Sequence, residues 1–160
     1  MENFKKSFFH YSFANLITAV VPVMLIPLIV RYLTPTEYGV VGIFQVLILG
    51  FTPFISLNSH SAVLRGYYER EDQLVPPWPD LVSVALVLSS LALIFWCIVV
   101  LIVGEVFVDL IGLELPFVLL ALATSYLIFI YELNQSIYLA QKKSFLYVCF
   151  QIAYVFINAF

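Results

Sequence analysis

The chain has 160 residues, of which 63% are hydrophobic and 11% charged, with a formal net charge of −3. A soluble domain is nearer half apolar and a quarter charged, so this chain cannot cover itself with polar surface and its solvent is lipid. That composition excludes a soluble enzyme or soluble binding domain, and with no basic patch there is no face for nucleic acid.

The chain opens Met1-Glu2-Asn3-Phe4-Lys5-Lys6 and runs directly into apolar residues without a small-residue cleavage site. This start predicts a retained first span rather than a removed signal peptide. Four apolar runs follow, at about 7–30, 40–64, 81–103 and 116–140. Each has about 23 to 25 residues, where about 20 suffice to cross the hydrocarbon core as a helix. A fifth run begins near Phe145 and reaches Phe160. At about 16 residues it is short for a span. The expectation is an all-α, polytopic transmembrane bundle, with residues 1–160 forming the N-terminal transmembrane segment of a longer protein.

In the first run, Tyr11, Asn15, Thr18 and Pro22 share one helical face. The polar stretch Arg31-Tyr32-Leu33-Thr34-Pro35-Thr36-Glu37-Tyr38-Gly39 then predicts a tight turn that folds the first two spans into a hairpin. Pro35 and Gly39 act there as turn punctuation. In the second run, Gln45, Thr52, Ser56 and Ser59 fall within roughly 40° of one another at 100° per residue. His60 lies at the edge of that stripe. Residues 65–80 form the longest loop, ending Val75-Pro76-Pro77-Trp78-Pro79, with Trp78 as an interfacial anchor. Proline cannot continue a helix there, while Pro22, Pro27 and Pro53 lie inside spans and should kink them, with neighbouring side chains satisfying the freed carbonyls.

The third run repeats Ser83, Ser90 and Cys97 every seven residues, which predicts a packing helix with a small-residue seam. The gap after it holds Glu105, Asp109 and Glu114. In the fourth run Ser125, Glu132 and Ser136 align, with Gln135 alongside. Polar groups in lipid are expensive, and two readings of the three stripes stand side by side. They form interhelical hydrogen bonds, or they line a shared hydrated cavity. Glu132 reads as a cation or proton site, or as a hydrogen-bonded acid.

Basic residues orient the chain. Lys5, Lys6, Arg65, Arg70, Lys142 and Lys143 lie on one side of the expected membrane and Arg31 alone on the other. The positive-inside rule then makes the N-terminus cytoplasmic and the turn at 31–39 external, in a cytoplasmic membrane.

Reactive chemistry is sparse. There is no Gly-rich phosphate loop. The two histidines, His10 and His60, and the two cysteines, Cys97 and Cys149, lack metal-ligand spacing. The serines near His60 make no nucleophile elbow. No cofactor, metal or enzymatic activity is expected.

Three passages resemble one family. These are Arg31-Tyr-Leu-Thr-Pro-Thr-Glu-Tyr-Gly39, then Ile55-Ser-Leu-Asn-Ser-His-Ser-Ala-Val-Leu-Arg65-Gly-Tyr-Tyr68, and Ile137-Tyr-Leu-Ala-Gln-Lys-Lys-Ser-Phe-Leu-Tyr147 followed by Gln151 and Asn158. In order and spacing they resemble polysaccharide biosynthesis proteins, the O-antigen flippase-type members of the multidrug, oligosaccharidyl-lipid and polysaccharide exporter superfamily. The resemblance implies the N-terminal part of a two-lobed fold around a central cavity. It implies alternating access that carries a polyprenyl-diphosphate-linked oligosaccharide across the cytoplasmic membrane, with membrane lipid and the remaining helices of the full-length protein as partners. By position, Arg65 and Arg31 are the candidate cations toward the diphosphate, each with a helix-end or turn-stabilising role as its alternative. The candidate cavity set is Asn15, Thr18, Gln45, Thr52, Ser56, Ser59, His60, Arg65, Glu132 and Gln135. The alternatives are an ion-coupled small-molecule exporter of the same superfamily and a small structural or assembly membrane protein.

Overall fold

A computed structural model describes residues 12, 15–21, 23, 24, 27, 31–69 and 77–159, with backbone alone at 107, 109–111 and 156–159. Five helices have both ends defined: α1 Pro35–Ser56, α2 Ser59–Tyr68, α3 Trp78–Ile111, α4 Leu115–Ala140 and α5 Ser144–Ala159. The described residues between 12 and 32 are helical as well, and no strand occurs among the described residues. Three helices are long and apolar enough to cross a membrane, over Pro35–Ser56, Trp78–Val106 and Leu115–Ala140. The first expected span lies largely outside the described residues, Tyr11 and Pro22 included, and so does Arg70.

The helix ends differ from the expected ones, each for a local reason. Residues 31–39 are not one long turn. Arg31 and Tyr32 are helical, and α1 starts at Pro35, leaving Leu33 and Thr34 between. Thr34 and Glu37 close a capping box. The Thr34 backbone N–H and hydroxyl both donate to Glu37 Oε2 at 2.8 Å, and the Glu37 N–H points back at Thr34 Oγ1 at 3.4 Å. Proline at the first helical position lacks an N–H that would be unpaired there anyway. With the start so fixed, Gly39 falls inside α1 rather than ending the turn.

The expected second span, 40–64, is two helices. Leu57 and Asn58 both adopt positive φ, 46° and 53°, and the chain restarts as α2 at Ser59. Asn tolerates the left-handed region because its short side chain bonds locally, whereas Leu is strained there. The Asn58 side chain accepts a hydrogen bond from Ser61 Oγ at 3.0 Å. Arg65 therefore lies in the last turn of α2, not in a loop, and its Nε donates to Glu69 Oε1 at 2.8 Å.

Helix α3 has 34 residues. At 1.5 Å per residue it is about 50 Å long, beyond the roughly 30 Å of hydrocarbon. No proline follows Pro79 within it, and it runs through Gly104 to Gly112, which caps it at φ 72° and donates to the Val108 carbonyl at 2.8 Å. Glu105 and Asp109 are accordingly helical, and the connection to α4 is only residues 112–114. Gly104 is where α3 meets the start of α4: an added Cβ would lie 2.9 Å from Leu115 Cδ1.

The chain divides into two compact units. One comprises the described residues of 1–38 and 137–160, the other Gly39–Ser136. In the second unit, Phe51 and Ile55 of α1, Val100 of α3, and Val118, Ala121 and Leu122 of α4 form a buried core. Phe51 and Phe54 both pack on Trp96, with ring centroids 5.8 and 5.4 Å apart. In lipid such packing, rather than escape from water, holds helices together.

Candidate functional site

Within the Gly39–Ser136 unit, polar contacts join the helices pair by pair. Ser125 of α4 donates to its own Ala121 carbonyl at 2.8 Å and lies 3.2 Å from the Ile48 carbonyl of α1. Ser90 of α3 donates to Leu86 O at 2.7 Å and lies 2.8 Å from Tyr126 OH of α4. A serine hydroxyl carries one proton, so Tyr126 is the donor to Ser90. The same reasoning makes Ser89 of α3 the donor to Ser59 of α2, across 3.4 Å, because Ser59 already donates to Ser56 O at 2.7 Å. Trp78 Nε1 ties the start of α3 to the Val63 carbonyl of α2 at 3.1 Å. It also stacks edge-on against Tyr67 at 5.2 Å.

One contact in this set involves groups that can carry charge. His60 Nδ1 of α2 lies 3.5 Å from Glu132 Oε2 of α4, with the two side chains 24% and 35% exposed. The separation is within ion-pair range, yet His60 Nδ1 is buried and makes no hydrogen bond. Charge-assisted hydrogen bonds close to about 2.7–2.9 Å, so this pair stands one short movement from forming one. The break at Leu57–Asn58 sets the geometry. It restarts the helix at Ser59, and His60 falls in the first turn of α2, facing α4.

The ten candidate residues distribute unevenly. Asn15 and Thr18 belong to the first unit, where both accept from Gln151 Nε2 of α5, at 3.1 and 2.8 Å. The other eight belong to the Gly39–Ser136 unit. Gln45 is exposed, while Ser56 and Ser59 are buried. Gln45 and Ser56 share a face of α1, exposed at one end and buried at the other, whereas the left-handed residues at 57 and 58 change the phase before Ser59. Thr52 donates back to Ile48 O at 2.7 Å. Gln135 is buried, and its Nε2 donates to Tyr131 OH at 2.9 Å. Arg65 is exposed beside Glu69. A hollow at the far end of α3, lined by Gly104, Glu105, Val108 and Leu115, contains none of the ten.

Ser89 and Gln151 are in none of the polar stripes or seams mapped along the spans. Ser89 is fully buried against Ser59, but the period-seven seam of Ser83, Ser90 and Cys97 passes over it. Its signal is the Ser89-Ser90 pair, which places hydroxyls on two adjacent faces of α3. Gln151 is buried in α5 and gathers Asn15 and Thr18. Its signal is an amide, one of two with Asn158, in an apolar run too short to be mapped as a span.

Among the described residues, no group of three His, Cys, Asp or Glu side chains converges on a metal position. What the site offers among the described residues is neutral hydroxyls and amides and one imidazole–carboxylate pair. Compared with protein families, with curated proteins and with solved structures, the chain matches none.

Proposed function

We propose that the chain is part of a membrane transporter that moves a polyprenyl-diphosphate-linked oligosaccharide from the inner to the outer leaflet by alternating access. In this reading it forms the N-terminal part of a two-lobed bundle in the cytoplasmic membrane. The N-terminus is cytoplasmic, and the connection before α1 is external, as the six-to-one distribution of basic residues favours.

The observation that carries a transport role is the half-buried His60–Glu132 pair, with Glu132 inside the span Leu115–Ala140 and His60 on the short helix α2 beside it. Ionisable groups in membrane helices mark substrate or ion pathways by default. The oligosaccharide substrate rests on the three sequence passages, which resemble the polysaccharide exporters in order and spacing. The same pair favours a second reading, an ion-coupled exporter of small molecules, in which Glu132 binds the driving cation.

Deleting the gene separates the two. Under the flippase reading, the lipid-linked oligosaccharide accumulates on the inner leaflet and surface polysaccharide is lost. Normal surface polysaccharide in that strain rejects the oligosaccharide substrate.

A further inference from the structure

The geometry points to His60 and Glu132 as one proton-binding site that latches α2 to α4. A neutral imidazole with its proton on Nε2 faces the carboxylate oxygen at 3.5 Å acceptor against acceptor, and one with its proton on Nδ1 meets it without a compensating charge; the imidazolium alone offers both the donor and the charge. One proton on Nδ1 turns that opposition into a donor–acceptor pair. It also changes the net charge of the pair from −1 to zero, which a membrane layer favours strongly. Taking up the proton breaks no bond other than that of the hydronium or water that delivers it, and the N–H formed points at Oε2.

Among the described residues the packed stretches of α1, α3 and α4 bring few charges near the pair. Between Gly39 and Ser56, α1 carries no Asp, Glu, Lys, Arg or His, and neither does α3 between Leu81 and Gly104. From α3 the nearby polar group is Ser89, held to Ser59. On α2 the other charged side chain is Arg65, which is turned to Glu69. On α4 between Leu115 and Ser136, Glu132 stands alone, with Gln135 and Ser136 as neutral neighbours and Tyr126 and Tyr131 as phenols. A divalent metal would find two ligands of the His, Cys, Asp and Glu set here and no third among the described residues.

The latch acts on a segment built to move as a unit. Helix α2 has ten residues and is separated from α1 by the left-handed pair Leu57–Asn58. Among the described residues its ties to the rest of the unit include Ser59 to Ser56 and Ser89, Trp78 to Val63 with Tyr67 stacked on Trp78, and His60 to Glu132. Of these, the last alone responds to protons. The inference concerns the state of this helix pair and does not depend on which substrate is carried.

Hydrogen exchange on the full protein in lipid nanodiscs tests it. Amides of α2 are followed at about pH 5.5 and about pH 8.5, on either side of the range in which histidine changes charge, after correction for intrinsic exchange rates. The wild type should lose protection in α2 by roughly tenfold at the higher pH. His60→Gln and Glu132→Gln should abolish the pH dependence. His60→Lys, which keeps a positive charge at both pH values, should retain protection throughout. Protection in α3 reports on whether each variant is folded. Equal α2 protection at both pH values in the wild type overturns the latch, as does a pH dependence that survives Glu132→Gln. Restoration of protection at the higher pH by sodium chloride, but not choline chloride, assigns the site to a metal cation instead of a proton.

Discussion

Ser125 Oγ on α4 lies 3.2 Å from the carbonyl oxygen of Ile48 on α1, one residue before the carbonyl that Pro53 leaves without its helical donor. Thr52 Oγ1 reaches the same Ile48 oxygen at 2.7 Å. Two hydroxyls thus gather where proline loosens the α1 ladder, which is how membrane bundles tolerate proline within a span. Because Ser125 shares its single proton with Ala121 O, the interhelical part is modest. Ser125→Ala should lower stability by about 0.6 kcal/mol, the average for such bonds in membrane bundles. Ser125→Leu should lower it by about 1–3 kcal/mol, because the site is fully packed. Reversible unfolding in mixed detergent–SDS micelles measures both, and a neutral Ser125→Leu contradicts the packing described.

The break between α1 and α2 carries its own prediction. Leu57 sits at φ 46°, a conformation that costs a side-chain-bearing residue about 1–2 kcal/mol and glycine almost nothing. The side chain is half exposed, so little packing is lost on removing it. Leu57→Gly should therefore stabilise the fold by about 1 kcal/mol in the same unfolding assay. A loss of stability would mean that α1 and α2 run on as one helix.

Much of the fold can be read in the sequence, and the misses share a cause. Helical spans are legible because long apolar runs have one outcome in lipid. The ends of α4 and α5 fall within a residue or two of the apolar runs that predict them. Hydropathy averages over local geometry, however. It cannot see that Asn58 accepts a left-handed backbone, that Thr34 and Glu37 pull the start of α1 back to Pro35, or that α3 continues through charged Glu105 until Gly112. The candidate site suffers from the same blindness. Its stripes were counted on uninterrupted helices, so Gln45 and Ser59 were placed together across a break that separates them. The approach of His60 to Glu132 depends on two helices 72 positions apart in sequence and could not be counted along either one.

The capping box makes a local prediction that global stability would miss. Thr34→Ala removes the hydroxyl that both donates to Glu37 and faces its N–H. Exchange of the first-turn amides of α1 should quicken roughly fivefold, as for loss of one helix cap. Thr34→Ser should leave it unchanged, and Glu37→Gln should preserve most of the protection, because glutamine serves at this position of the motif. Unchanged exchange in Thr34→Ala would show that the cap does not hold the helix start.

The transport proposal meets its most direct test in proteoliposomes containing the full-length protein and a fluorescent polyprenyl-diphosphate-linked oligosaccharide loaded into both leaflets. A membrane-impermeant glycosidase added outside trims the outer-leaflet pool at once and reaches the inner pool only as fast as the protein delivers it. The prediction is that trimming runs to completion with the wild-type protein and stops near half, as in protein-free vesicles, when Glu132→Gln is substituted. Trimming that stops near half with the wild-type protein would contradict a flippase.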